Sequence, residues 1–433
     1  MHINYSKIFD KLFPLNRSIL GKGYIESIKT LNKYIKFKFV KYKSGTKIFD
    51  WHIPKEWIVN KAYIKYKGKK ILDYRNSNLH IINYSTKINK KLNLEELKAN
   101  LHTLPDRPKF IPYITSYYKK NWGFCSTHNF KQKLKKGTYH CVIDVKFKNG
   151  EIVNGISDVK GRSKKINLIS TYLCHPSMAN NELGGPLVMI GLYNRIKNWK
   201  NRNYSYKFLV NPETIGSLCF LKSHGEKIRK HFNSGLVLNC LGGNEKKLSY
   251  TTSKDGNSTL DKTFKLFEKK KINIRQFDAA NGADERQYNS PGFNFSVGNI
   301  SRTTYAQYPE YHNSGDTKKF MNIKKIEDSV NQIEYFLKLH EYTFPIKRYI
   351  PYGELMLGKR NLYPSINFAQ TRFQRNDQAI NGGEELHILL TTLSYCDGSK
   401  NIVDIINLKK LNIEKSFKVL KKCLKLKLVY MNI

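Results

Sequence analysis

The chain has 433 residues, with 76 Lys and Arg against 34 Asp and Glu, a formal charge of +42. That length suits two or three domains rather than one small core, and 40% hydrophobic and 13% aromatic residues are enough to fill them. No run reaches the roughly 18 apolar residues of a membrane helix, and the amino terminus MHINYSKIFDKLF lacks the apolar stretch of a signal peptide, so a cytoplasmic protein without a membrane partner is expected. Seven cysteines without a CxxC pair, mostly in apolar runs, read as small buried hydrophobes rather than a disulfide framework. The basic charge does not by itself point to nucleic acid. Residues 384–433 hold nine lysines against five acids, a net +4, where the chain average gives about +5. A nucleic-acid partner is therefore disfavoured, and a homo-oligomer is left open.

In chain order, Ile8/Phe9/Leu12/Phe13 and Ile25/Ile28/Leu31/Ile35 predict two helices of a main domain. From Phe37 the period changes to two, and AYIKYKGKKILDY predicts a hairpin about Lys67-Gly68. With a short helix capped by Asn93, residues 39–130 read as an inserted β-rich domain. TYHCVIDVKFKNGEIVNGISDV predicts a further hairpin turning at Asn149-Gly150. Strands and helices then alternate: strand 166–173, helix 185–198, strand 206–211, helix 214–224, strand 235–240, helix 258–271, strand 293–298 and a long helix 322–342. The fold class is thus α/β, a mixed sheet between helical layers built from 1–38 and 131–345. Residues 346–383 read as an irregular linker, and three short helices with a terminal strand in 384–433 predict a winged helix-turn-helix.

The stretch KINLISTYLCHPSMANNELGGPLVMIGLYNRIKNW organises the α/β region, because a buried strand breaks at Cys174-His175-Pro176 and a helix resumes after a polar loop. Ligands collect at such strand ends, so His175 is a candidate site residue. Glu213 directly follows the next strand in YKFLVNPETIGS, Asp284 sits in a glycine-flanked loop, and YPEYHNSGDT presents His312 and Asp316. Histidines and carboxylates together suit a borderline cation such as zinc, and a nearby carboxylate can act as base toward water. Trp122 to His128 could wall a substrate cleft or pack a domain junction; Arg286 and Arg302 could bind a substrate carboxylate or pair with local acids.

From His175 to Thr317 the sequence resembles the di-zinc aminopeptidase and glutamate-carboxypeptidase metallopeptidases. The segments TSYYKKNWGFCSTH, YLCHPSMANNELGG, PETIGS, ADERQYNSPGF, YPEYHNSGDT and GELMLGKRNLY extend the likeness to a bacterial aminopeptidase-like family with a β-rich insert and a carboxy-terminal winged helix, often encoded among surface-polysaccharide genes. The resemblance implies that His175 and Asp284 belong to a first zinc site, His312 to a second, and that Glu213 is the general base. Two positions depart from it. Thr214 stands where a second, zinc-binding glutamate is expected, and Asn181 stands at the bridging aspartate. An amide offers one neutral oxygen where a carboxylate offers two anionic ones, so a pair of zincs about 3.5–4 Å apart is not expected, and one ion or none is. The resemblance implies a metal-dependent hydrolase of a small peptide, aminoacyl or amino-sugar conjugate; the alternatives are a catalytically impaired ligand-binding relative and, less favoured, a DNA-binding regulator.

Overall fold

The computed structural model describes residues 3–362 and 382–433. An eight-stranded mixed sheet runs in the order Lys38–Lys43, Glu151–Val159, Ser205–Asn211, Ile166–Tyr172, Phe232–Leu238, Val297–Ser301, Leu248–Thr251, Ile272–Arg275. The four strands from Ser205–Asn211 to Val297–Ser301 are mutually parallel. Strand Ile166–Tyr172 is followed in sequence by its neighbour on one side, Ser205–Asn211, and then by its neighbour on the other, Phe232–Leu238. The winding direction reverses there, so the connections leaving the carboxyl ends of these strands diverge and open a crevice.

Helix Asn180–Ile196 is buried along almost its whole length, and it packs beneath the long helix Ile323–His340. Its apolar run lacks an amphipathic stripe because it is covered on all sides. Gly185 lets it approach the sheet: a Cβ there would lie 2.3 Å from both the Leu238 carbonyl oxygen and Thr171 Oγ1. The helix begins at Asn180, five residues before the predicted start, because its first turn is the polar segment whose backbone N–H groups are satisfied from another loop.

The β-rich insert has a four-stranded sheet in the order Lys69–Asp73, Glu56–Tyr66, Tyr139–Lys148, Ile88–Leu92. The hairpin about Lys67-Gly68 and the Asn93 capping box form as expected. At both seams, however, strands cross between sheets. Lys38–Lys43 pairs with Glu151–Val159 as an edge of the large sheet, and Tyr139–Lys148 pairs with Glu56–Tyr66 and Ile88–Leu92 in the small one. The two arms of the expected Asn149-Gly150 hairpin therefore belong to different sheets. Alternation identifies a strand without naming its partner.

The carboxy-terminal helices Gly382–Ser394, Ile402–Lys409 and Ile413–Lys425 are followed by strand Val429–Met431. That strand pairs antiparallel with Ile346–Arg348, residues expected to be irregular linker. The remainder of the expected linker is described only to residue 362; residues 363–381, with part of that expectation, lie outside the described residues. This unit is fastened to the α/β domain by a shared apolar core and by the ion pairs Lys262–Asp404 (2.8 Å) and Lys271–Glu414 (2.9 Å). Among the described residues no helix is long and apolar enough to cross a membrane.

Candidate active site at the strand ends

His175 and Glu213 leave adjacent parallel strands at the same edge of the sheet, and His175 Nε2 lies 3.6 Å from Glu213 Oε2. The other side of the imidazole is fixed by Glu182. Its Oε2 is 2.7 Å from His175 Nδ1, and its Oε1 accepts the His175 backbone N–H at 2.8 Å. Behind it lies Arg17, fully buried, whose Nε donates to the His175 carbonyl oxygen at 2.9 Å and sits 3.7 Å from Glu182 Oε1. A carboxylate on Nδ1 fixes the proton there, so that Nε2, turned to the cavity, is the nitrogen that gives up its proton when the ring becomes neutral and could then offer a lone pair. Glu182 is thus committed to His175 and Arg17 and does not replace the missing bridging charge.

Burial alone would lower the pKa of His175, but Cys174, Tyr113 and Glu182 together hold it well above the ordinary value. Of the three, Glu182 is the anionic neighbour, since burial pushes the Cys174 thiol up to about 11 and the Tyr113 hydroxyl up to about 12. Burial also raises Glu213, to about 7, against the opposing pull of His175. A carboxylate poised near neutrality is suited to taking up and releasing a proton.

Asp284 is fully buried and accepts from Asn211 Nδ2 (2.9 Å), the Thr214 backbone N–H (2.7 Å) and Ser217 Oγ (3.1 Å). It steadies the loop after Glu213, in which Thr214 adopts a left-handed φ of 63°. His312, at φ 52°, stacks on Tyr311 with ring centroids 3.9 Å apart and brings its ring to 5.3 Å from that of His175. Burial, reinforced by His175, lowers its pKa to about 3, so the ring is neutral.

Asn181 is buried with Nδ2 3.2 Å from the Tyr172 hydroxyl, while its Oδ1 has no hydrogen-bond partner. Asp316 receives the Asn180 and Asn181 backbone N–H groups at 2.7 and 2.9 Å, capping the helix where its dipole favours an anion. Burial nevertheless raises that carboxyl to about 7.

The inserted module closes the site. The Tyr113 N–H donates to the His312 carbonyl oxygen at 2.9 Å, and the Tyr113 ring lies 5.1 Å from His175 and 5.5 Å from His312. A cavity of about 380 Å³ is lined by His175, Glu213 and His312 on one side and by Trp51 with Tyr113, Tyr117 and Tyr118 on the other. The wall is therefore 113–118 with Trp51, one segment before the expected Trp122–His128: Trp122 packs against the insert core, and His128 meets Thr103 at 3.0 Å. Arg302 is buried against Asp328 and Ser329, and Arg286 Nε donates to the Ala283 carbonyl oxygen; neither lines the cavity. Arg17 left no mark in the sequence, lying 158 positions from its partner.

Among the described residues, the only group of three or more His, Cys, Asp and Glu donors within 4.8 Å of one another is Cys174, His175 and Glu182. That trio suits a cation poorly, because its thiol is protonated and its carboxylate engaged by Arg17. Facing the cavity are His175 Nε2 and a neutral His312, whereas Asn181 and Asp284 lie outside its lining and His175, His312 and Asp284 do not form such a three-donor group. By donor chemistry two imidazoles, the orphaned Asn181 Oδ1 and the one acceptor position that Asp284 keeps beyond the three it uses suit a single zinc ion and offer no bridging carboxylate for a pair.

The parallel strands, crevice and helical layers are those of the zinc aminopeptidase fold. A zinc aminopeptidase from Bacillus subtilis superposes with TM-score 0.54 at 10% identity, covering 77% of this chain and 94% of that one. A peptidase M28 precursor from Shewanella amazonensis gives 0.55 at 11%, covering 78% and 92%. At that identity the likeness is one of fold. Residues 6–343 match the family model "Domain of unknown function (DUF4910)" and 345–430 a winged helix-turn-helix model. The chain belongs to that family, as an aminopeptidase-like protein with a carboxy-terminal winged helix. A Clostridium acetobutylicum protein, named for polysaccharide biosynthesis and an aminopeptidase-like domain, is 35% identical over 408 residues, 92% of this chain and 89% of its own. A crystal structure from the same organism, described as a peptidase, superposes with TM-score 0.85 at 32% identity over 99% of this chain and 96% of that one.

Proposed function

We propose that this protein is a hydrolase of an amide bond near a free amino group, with Glu213 as general base and with His175, His312 and Asp284 as the residues that would hold a single zinc ion. The observation that carries the reading is the convergence of Glu213 and His175 Nε2 at 3.6 Å in a walled cavity at the carboxyl ends of parallel strands. Glu213 takes a proton from the attacking water and returns it to the leaving amine, a role for which its raised pKa fits. Arg17 and Glu182 hold the His175 ring in one tautomer, and Asp284 fixes the Thr214 backbone so that Glu213 points into the cavity. Bound zinc would supply the Lewis acidity that polarises the carbonyl and acidifies water. The name of the Clostridium relative supports a link with polysaccharide biosynthesis, and an aminoacyl or amino-sugar conjugate is the substrate we propose.

Asn181 and Thr214 favour a second reading, a relative that binds such a ligand without turnover. A panel of aminoacyl-p-nitroanilides with added zinc, cobalt or manganese separates the two. Turnover that falls by about 10²–10⁴ in Glu213→Gln supports the hydrolase. Silence across all metals favours the binding protein.

A further inference from the structure

Trp51 and Tyr118 are 39% and 54% exposed, an unusual cost for large aromatic rings, yet both line the same cavity as His175 and Glu213. Their rings meet edge to face at 5.3 Å and 76°, forming a corner of two flat walls. The corner is fixed in advance. Trp51 lies in a two-stranded ribbon paired with Ile48, and the Tyr118 hydroxyl donates to the His52 carbonyl oxygen at 3.2 Å, tying the 113–118 segment to that ribbon. On the same wall the Tyr117 hydroxyl lies 3.1 Å from that of Tyr113, and Thr115, also in the lining, is exposed.

The insert side of the cavity, Trp51, Tyr113, Thr115, Tyr117 and Tyr118, contains neutral groups only, and the histidines and Glu213 lie on the opposite side. Nothing on that wall would compensate a carboxylate or phosphate, and a free alkyl side chain would make no use of the Thr115 hydroxyl or of the hydrogen-bonding positions that the Tyr113–Tyr117 pair leaves open. A ring with apolar C–H faces and hydroxyl edges satisfies both features, stacking on the aromatic faces while its hydroxyls meet Thr115 and Tyr117.

We infer that the insert wall is a subsite for a neutral pyranose, so that the substrate carries an uncharged sugar ring beside the amide that reaches Glu213. The inference rests on the amide-hydrolase reading for its orientation, but binding can be tested without turnover. Full-length Glu213→Gln protein is titrated with methyl 2-acetamido-2-deoxyglucopyranoside, methyl glucopyranoside and N-acetyl-leucinamide. Calorimetry gives the affinity and saturation-transfer NMR the ring protons in contact.

The glycosides are expected to bind more tightly than N-acetyl-leucinamide, with saturation concentrated on one face of the pyranose. Adding Trp51→Ala should weaken the glycosides at least tenfold, and Tyr118→Ala, at a more exposed ring, should do so independently. Preference for N-acetyl-leucinamide, absence of glycoside binding, or glycoside affinity unchanged in both variants would overturn the inference. Glycoside binding in a protein that hydrolyses no amide would remove the proposed reaction and leave the subsite standing.

Discussion

Replacing Arg17 by Met tests the support beneath His175. Both side chains of the Arg17–Glu182 pair are wholly buried, and Arg17 also donates to the His175 and Leu12 carbonyl oxygens. Removing one partner of such a pair leaves an uncompensated charge and costs about 3–5 kcal/mol. In a cooperative unit of about 340 residues, with an unfolding entropy of about 2 cal/mol/K per residue, that corresponds to a Tm lowered by about 6 °C. The double variant Arg17→Met, Glu182→Gln should recover most of the loss. The amide still accepts the His175 N–H while its NH₂ faces Nδ1, and no charge remains stranded. The proton of His175 then moves to Nε2, so the recovered protein should bind zinc more weakly than the wild type. Urea melts followed by circular dichroism, with zinc titrations, measure both. A single variant costing less than about 1 kcal/mol, or a double no more stable than the single, would refute the assignment of Glu182 and Arg17 as a buried support.

Two further outcomes are expected. Asn181→Asp places a carboxylate where the orphaned amide oxygen now lies and should raise the zinc retained after purification without chelator; equal stoichiometric zinc in both proteins would show that the amide costs nothing. Glu341, which accepts from the Tyr206 hydroxyl and the Asn203 and Tyr204 backbone N–H groups, has its pKa raised from the ordinary 4.5 to about 7, chiefly by burial. Its folded form holds the proton more tightly, so its contribution is fully present below pH 4.5 and lost as pH rises through 7, by at most about 3 kcal/mol. Relative to the wild type, Glu341→Gln should therefore gain stability between those limits, and parallel pH–stability curves for the two proteins would contradict this.

Much of the scaffold is legible in the sequence because it rests on local rules. Apolar runs and helical patterns give the central strands and the long helix, Asn93 marks the start of its own helix, and the break after Leu173 marks the strand end where His175 emerges. Position in an alternating chain also suggests that Glu213 lies near it, since both follow strands that become parallel neighbours. Partnership across the chain is not written locally. Lys38–Lys43 reads as part of the insert and Tyr139–Lys148 as part of the α/β domain, yet each pairs in the other's sheet, and Ile346–Arg348 looks like linker until Val429–Met431 supplies its partner.

The site divides in the same way. Residue types at apparent strand ends marked which groups could do chemistry, His175, Glu213, Asp284 and His312, and the family resemblance made the amide at Asn181 an argument against two metals. Only the tertiary structure decided how each is occupied. It commits Glu182 to the back of His175 through an arginine 158 residues from that histidine, engages three acceptor positions of Asp284, and brings Trp51 and 113–118 over the crevice as its far wall. A side chain's chemistry is its own, whereas its charge state, orientation and free lone pairs depend on neighbours that folding brings from distant parts of the chain.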